Sequence, residues 1–501
     1  MAAAEMAAQQ DNYYDVLVVG GGNAGLCAAQ AALDAGVKVG ILEKAPKDER
    51  GGNSALTGHM RFPYDSVDQL LPLIDDPSDD EIEAIRERLP TRTEQQLWDE
   101  IMRTTSGAAD QNLLEVHVRN SYPTIQWLRS KGHAWKPNLA PTAGNSMQMD
   151  GRGYKLQERH FRNVEQGGAT IHYETALIEL LQDRTGAVTG VLATTPTGTI
   201  EIHAKAVILT CGGFESNPEM RAKYLGPGWD TVRNRGVPFN TGDGLNAALA
   251  IGAMPHGSWS SAHASPQDIE RPWFTLPSSV PNGGTRTSRY AYPYSIMVNL
   301  DGKRFVDEAS DVRGRTYAKM GRAILAQPGG VAYQIFDAKA RRMGLLEDYD
   351  RNNATGVRAD SLDEVAKLVG LDPETVVATV KQYNQAIGPG ELKPDPFSLD
   401  HKSTVGLTPE KTNYSISIED GPFEIYGIRC GITFTFGGLL VDPNTSQVQH
   451  TAGRAVPGLY TAGEMLGGLW HWNYPSGSGM MAGAVFGKIA GESAAKAATT
   501  A

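Results

Sequence analysis

Gly20, Gly22 and Gly25 stand at G-x-G-x-x-G spacing, and a second apolar run, Val37 to Leu42, ends on an acid, Glu43. Residues of these types at this spacing bind a dinucleotide. Gly20 permits a tight turn, and Gly22 lets a pyrophosphate approach the backbone. Gly25 lets a helix pack close to the strand before it, and Asn23 and Ala24 offer the first helical N–H groups to the phosphates. Glu43, with Lys44 beside it, is placed to accept hydrogen bonds from a ribose. Farther along, arginines cluster in an otherwise acidic chain. Arg286 and Arg289 flank Thr287-Ser288, while Arg313 and Arg315 follow Glu308. A guanidinium fork suits a carboxylate and polarises the C–H bond next to it. Tyr317 lies four residues after Arg313 and would share a helical face with it. These residues allow hydride transfer at one carbon and proton transfer at its neighbour, in a carbon–carbon bond beside an anionic group.

These residues need elements to hold them. Tyr13 to Val19 reads as a buried strand, and Leu26 to Ala29 as a small-residue helix after the glycine turn. Asp110 to Lys131 has helical apolar spacing, and Lys205 to Thr210 is a strand that ends in Cys211-Gly212-Gly213. Between about 256 and 430 the chain is rich in proline, aromatics and arginine, with helices expected at 337–344, 361–368 and 373–387. The end reverts to a buried strand, Gly458 to Glu464, and a small-residue helix, Gly479 to Ala495. With 501 residues, two or three lobes are expected. A formal net charge of -11 argues against a nucleic-acid surface. No apolar run approaches the ~20 residues that span a bilayer. Met1 to Gln10 lacks the basic start of a secretory signal, and the final residues are not a peroxisomal tripeptide. The three cysteines, Cys27, Cys211 and Cys430, are far apart, which fits a reducing, cytoplasmic setting. No metal site is expected.

A second set of glycines separates FAD from NAD. Arg50-Gly51-Gly52-Asn53-Ser54 follows the second strand closely, with Thr57 and Gly58 just beyond, where a flavin needs backbone donors. Thr210, Gly212 and Gly213 make another close approach. Gly463 and Glu464 end the last strand, where a ribityl chain would pass. Ser478 and Gly479, in the glycine-rich Ser476 to Gly479, lead into the last helix at Met480, whose N-terminus would stabilise an anionic reduced flavin. Ala176 and Asp243 complete the set expected to contact FAD. Two further G-x-G-x-x-A matches, at Gly242 and Gly477, follow no apolar strand, so no separate NAD(P)H site is expected.

These motifs, with Gly302-Lys303-Arg304-Phe305-Val306-Asp307-Glu308 and Pro457 to Glu464, resemble the fumarate reductase/succinate dehydrogenase flavoprotein superfamily over nearly the whole chain. Gly52 to Gly58, Trp259 to His263 and Thr316 to Gly321 look most like tricarballylate dehydrogenase-like proteins. The resemblance implies an α/β fold: a Rossmann-type FAD-binding domain with a parallel sheet discontinuous in sequence, and an inserted α+β substrate or capping domain. The expected parts are a tail at 1–12, the FAD domain at 13–255 and 431–501, and the cap at 256–430. It also implies bound FAD and oxidation or reduction of a carbon–carbon bond beside an electron-withdrawing group, with a tricarballylate-like polycarboxylate favoured. Arg313, the nearest match to a proton-transferring arginine, Tyr317, His263 and Tyr474 are the expected catalytic residues. Arg286, Arg289, Phe434 and Ser476 are the expected substrate contacts.

The chain departs from fumarate reductases at two places. Their histidine pair, which precedes Met-Gly-Gly, is absent from Gly431 to Gly438, and their Asn-Arg pair is absent from Leu469 to Ser476. The second carboxylate anchor is gone, which disfavours fumarate and succinate, and Trp470, Trp472 and Tyr474 suggest a wider aromatic pocket. Tyr474 with Ser476 also resembles the flavin ketosteroid dehydrogenases, so a cyclic ketone or enone is the alternative substrate class. A flavin electron-transfer subunit of a larger complex is the alternative of another kind. Asn53-Ser54-Ala55 occupies the position of the flavin-linking histidine of succinate dehydrogenases, so noncovalent FAD is expected despite His59 nearby. With no haem, iron–sulfur or NAD motif, electrons are expected to leave through an external partner or O₂.

Overall fold

The computed structural model describes residues 12–137, 147–280, 287–395 and 398–500. Of the expected 1–12 tail only Asn12 lies among them. β1 (Tyr13–Val19) runs through an eight-stranded sheet. β2 (Val39–Leu42) and β6 (Gly198–Leu209) flank it in parallel, and β14 (Arg454–Thr461) pairs in parallel with the far side of β6. The two ends of the chain therefore build one sheet. Val16, Leu17 and Val18 are fully buried, because both faces of the sheet are covered; this is why the strand reads as a continuous apolar run rather than an alternating one. β3 (Thr170–His172) extends the sheet beyond β2. β4 (Ala176–Gln182) and β5 (Val188–Thr195) form an antiparallel ribbon on β6, and β13 (Gln447–His450) pairs antiparallel with β14.

α1 (Asn23–Asp34) packs against α7 (Ser478–Thr500). Their small residues are a steric requirement. A Cβ on Gly487 would lie 2.3 Å from the Ala24 carbonyl, and one on Gly491 would lie 2.2 Å from that of Ala28. α3 (Gln111–Ser130) fills the 110–131 expectation. Its buried face carries Leu113, Leu114, Val118, Ile125 and Leu128, and Asp110 caps it. α2 (Glu94–Thr104) precedes it, closed at its N-terminus by a Thr93/Gln96 capping box.

The middle of the chain builds a second sheet. β12 (Phe423–Leu439) is 17 residues long and pairs with β10 (Val331–Phe336) and β11 (Gly356–Ala359) over its first half. Its second half pairs with β8 (Pro255–Asp268) and the short β7 (Arg233–Asn234). β9 (Ile296–Val298) closes the far edge on β10. The three helices expected here form at Ala338–Arg342, Leu362–Leu368 and Pro373–Ala386, capped by Asp337, Ser361 and Asp372. The 255/256 boundary falls on the first residue of β8, and the 430/431 boundary falls inside β12. That strand belongs to both regions, so no linker composition marks its midpoint. β8 loses register between Ser258 and Ala262 and again between His263 and Ala264. Such bulges re-aim side chains, and here they leave His263 opposite Phe434.

Candidate active site

A cavity of about 1010 Å³ opens at the carboxyl ends of β1, β2, β6 and β14, where open α/β sheets bind ligands. One end is walled by the fingerprint turn, the other by His263, Phe434, Tyr317 and Tyr474. The three fingerprint glycines do separate jobs. Gly20 has φ 108°, and a Cβ there would lie 2.6 Å from the Thr210 carbonyl; one on Gly25 would lie 2.0 Å from the Gly20 carbonyl. Those two are demanded by the protein. A Cβ on Gly22 would meet only the Ser54 hydroxyl at 3.7 Å, and one on Gly52 would meet nothing within 4 Å. Both face the cavity; the bareness of Gly22 serves a ligand rather than the fold, whereas Gly52, at φ 57°, also takes a left-handed backbone that favours glycine. That cradle fits a dinucleotide such as FAD.

The other expected cofactor contacts sort by what their side chains already hold. Glu43 lines the cavity while accepting from Gly21 N (3.0 Å) and Ala45 N (2.8 Å), and burial pushes its carboxyl above the usual range. Lys44 spans to Asp243 (2.7 Å), tying the end of β2 to α5 (Asp243–Ala250). Asn23 Nδ2 donates to Met480 O (2.9 Å), which fixes α1 to α7, and its backbone N–H donates to the Ser54 hydroxyl (3.1 Å). Thr210 closes the strand ends by donating to Val19 O and Gly20 O. The Asn53 amide is committed to Glu215, Thr433 O and Val237 N, so its side chain joins loops. Ala24, Thr57, Gly58, Ala176, Gly212, Gly463, Glu464 and Gly479 also line the cavity.

Four expected contacts lie behind the wall instead. Gly25 packs on Gly20, Gly51 (φ 99°) backs onto Gln157, Gly213 abuts Thr435 and Glu464, and Ser478 is fully buried. At the start of α7, Gly477, Gly479 and Met480 reach the cavity, so this 23-residue helix presents its N-terminus there as expected. His59 lines the cavity with its Nδ1 buried and unpartnered. Burial and the guanidiniums of Arg313, Arg152 and Arg61 push its imidazole down to about 3.

At the other end, His263 is 1% exposed and stacked on Phe434 (centroids 5.3 Å apart, planes at 11°). The rings of Tyr317 (4.8 Å) and Tyr474 (5.1 Å) stand edge-on to it. Neither His263 nitrogen has a protein partner. Burial, with Arg235 nearby, holds the imidazole well below its ordinary value, so it offers a neutral ring rather than a cation. Burial also raises Tyr317 and Tyr474; the neighbouring Tyr474 and Tyr290 add to the rise at Tyr317, and a hydrogen bond with Tyr317 opposes it at Tyr474. Both phenols stay protonated at neutral pH. The Tyr474 hydroxyl accepts from Gly477 N at 3.4 Å. Arg313 lines the cavity with its guanidinium over the Tyr290 ring at 5.4 Å, and Ser476 lines it too.

Several expectations need correction. Arg313 and Tyr317 do not share a helical face. Arg313 sits in a 3₁₀ turn, Arg313–Arg315, and α6 (Tyr317–Leu325) starts after it; the turn still delivers both to the cavity. Arg315 turns away to Glu100 (2.8 Å) and Asp311 (3.0 Å). Arg289 is 2% exposed and ion-paired to Asp268, whose carboxylate occupies its fork, so it does not line the cavity. Arg286 lies outside the described residues. Trp470 lines the cavity, but Trp472, at φ 63°, points outward and is 48% exposed. Sequence reasoning missed Arg235 and Tyr290. Arg235 follows β7, where its N–H donates to Ile432 O (2.6 Å) and its Nη1 reaches Thr433 (3.3 Å). Its only signal was a basic residue shortly before Asn240-Thr241-Gly242.

The family model described as FAD binding domain matches residues 15–480. The fumarate reductase (cytochrome) of Shewanella frigidimarina is 30% identical over 505 residues, which is 98% of this chain and 79% of that protein. The urocanate reductase of Eggerthella lenta is 28% identical over 96% of this chain and 74% of its own length. The open conformation of a flavocytochrome c3 fumarate reductase superposes with a TM-score of 0.73 at 25% identity, covering 99% of this chain and 80% of that one.

Proposed function

Since this chain belongs to the FAD binding domain family, among the fumarate reductase/succinate dehydrogenase flavoproteins, we propose that its substrate is an acid with a carboxylate beside the reacting carbon–carbon bond. The coarser activity is that of an FAD-dependent oxidoreductase of C=C and CH–CH groups. The observation that carries the substrate reading is the convergence of Arg313 and Arg235 with the neutral His263 in the cavity that reaches the FAD cradle. Bound FAD supplies the acceptor or donor of a hydride. Arg313 holds the carboxylate and moves a proton at the carbon next to it, the proton-transfer role being implied by the family, while the hydride belongs to the following carbon. His263 orients the substrate through an unpaired ring nitrogen, and the buried aromatic wall excludes water, which strengthens each polar contact. Two guanidiniums suit an acid with more than one carboxylate, so tricarballylate-like acids head the panel to be tried.

A neutral cyclic ketone is the second reading. What favours it is Tyr474, which lies in the stretch that replaces the Asn-Arg pair of fumarate reductases and whose hydroxyl, beside Gly477 N and Tyr317, could hold a carbonyl oxygen. Steady-state rates on tricarballylate-like acids, aryl-acrylates and cyclic enones decide between them, for wild type and Tyr474→Phe. Turnover of acids, with Tyr474→Phe retaining activity within about tenfold, is the expected result. Turnover of enones alone, abolished in Tyr474→Phe, would favour the ketone.

FAD is proposed to be noncovalent, since Asn53-Ser54-Ala55 offers no linking group at the position where succinate dehydrogenases carry their flavin-linking histidine. Acid precipitation should release all the yellow colour to the supernatant; a yellow pellet that turns colourless in His59→Ala would reverse this. Electrons are proposed to pass to an external partner or O₂. The cysteines Cys27, Cys211 and Cys430 are unpaired, which suits the proposed reducing, cytoplasmic setting, and among the described residues no helix is long and apolar enough to cross a membrane.

A further inference from the structure

Three segments of distant sequence line the reacting end of the cavity: the two-residue strand His59–Met60 at His59, the turn from Arg313 to Tyr317, and the loop from Tyr474 to Gly477. Their backbones are stitched together. Arg61 N donates to Gly477 O (3.1 Å), Ser476 N to Gly314 O (2.9 Å), and Asn473 Nδ2 to Arg315 O (2.6 Å). Arg61 adds a bond from Nε to Ser476 O (2.5 Å). Behind this seam, outside the cavity lining, stands Glu100 on α2. Both of its carboxylate oxygens accept from Arg61 Nη1 (2.9 and 2.8 Å), and one accepts from Arg315 Nε (2.8 Å), with Arg92 at 3.8 Å. Arg61 is 1% exposed and Glu100 8%. Burial works against the Glu100 charge, but the surrounding guanidiniums hold its carboxyl down to about 2.

We infer that Glu100 is a positioning residue: by clamping Arg61 and Arg315 on either side of Gly314 it fixes the 3₁₀ turn that presents Arg313 to the substrate. Arg313 heads a turn of only three residues, so its direction is set by what holds Gly314 and Arg315. Gly314 is held by Ser476, Arg315 by Glu100 and Asp311, and Ser476 by Arg61, which returns to Glu100. Glu100 is the shared anionic partner of Arg315, the last residue of the turn, and of Arg61, which holds the Ser476 segment bonded to Gly314. A shift of about an ångström at a reacting group costs on the order of a hundredfold in rate, so a clamp outside the cavity can govern turnover.

This assignment rests on the proposed function. The test uses holoprotein and expresses turnover per bound FAD, so that partial unfolding does not count. Glu100→Asp keeps the charge and shortens its reach. Arg315→Lys keeps a cation beside Glu100 and loses the second arm to Asp311. Each is measured alone and on an Arg313→Lys background. The expected result is a fall in kcat of at least about fivefold in both, with KM within about threefold. Neither variant should lose further activity once Arg313 is Lys, because residues acting through one group are not additive. A kcat per bound FAD within that fivefold margin, whatever the melting temperature, would overturn the inference, and so would full additivity with Arg313→Lys. A wild-type protein that turns over no acid or ketone would instead fail the functional reading, so the two failures are told apart.

Discussion

Gly22→Val is expected to fold normally and to purify without FAD. The fold leaves room for the substitution, since the first atom added meets nothing nearer than the Ser54 hydroxyl at 3.7 Å. The branched side chain would instead stand in the space a pyrophosphate needs beside the turn. FAD occupancy should fall by more than about tenfold, a loss of at least about 1.4 kcal/mol in binding. Gly25→Ala is the informative contrast. Its Cβ would press to 2.0 Å on the Gly20 carbonyl, so it should lower stability by about 1–3 kcal/mol through overpacking. Flavin absorbance per protein, with a thermal melt of the apoprotein, checks both. A Gly22→Val protein with full FAD content would remove the cradle from this turn.

Arg313→Lys should lose two to three orders of magnitude in turnover, about 2.7–4 kcal/mol of barrier, the scale of one missing electrostatic donor. Lysine keeps the charge and loses the planar fork that grips a carboxylate. FAD content should not change, because Arg313 stands at the reacting end of the cavity, over Tyr290, away from the fingerprint turn. Arg289→Lys is a poor substitute for this experiment. Arg289 is buried against Asp268, so its loss would unsettle the cap rather than probe the substrate. Single-turnover rates on an acid substrate, per bound FAD, measure the effect. A rate within about threefold of wild type would show that another group holds the substrate.

The nucleotide end was legible in the sequence because its requirements are local. A strand, a glycine turn, a helix and an acid must follow one another at near-fixed spacing, and Gly20 to Glu43 does so. The helix at Ser478 was legible for the same reason, since glycines before a small-residue run have few other uses. The reacting end was half legible. His263, Phe434, Tyr317, Tyr474 and Arg313 come together as expected, although they belong to four separate stretches of chain. Which arginine faces inward was not legible. Arg289, Arg313 and Arg315 look alike in sequence, and their directions are set by Asp268, Glu100 and Asp311, partners chosen by tertiary packing. Arg235 was missed because a two-residue strand, Arg233–Asn234, places it, and nothing in its neighbours marks so short an edge. Trp472 read as a pocket wall, but its left-handed backbone turns it to solvent.

The most direct measurement is anaerobic mixing of chemically reduced holoprotein with an unsaturated acid, following the flavin absorbance and the product. Flavin reoxidised in step with saturation of the C=C bond, for an acid and not for its amide or a neutral enone, and slowed by Arg313→Lys, is the predicted result. Flavin that stays reduced with every acid, but is reoxidised by a cyclic enone at the same rate in Arg313→Lys, would contradict the anionic site at its centre.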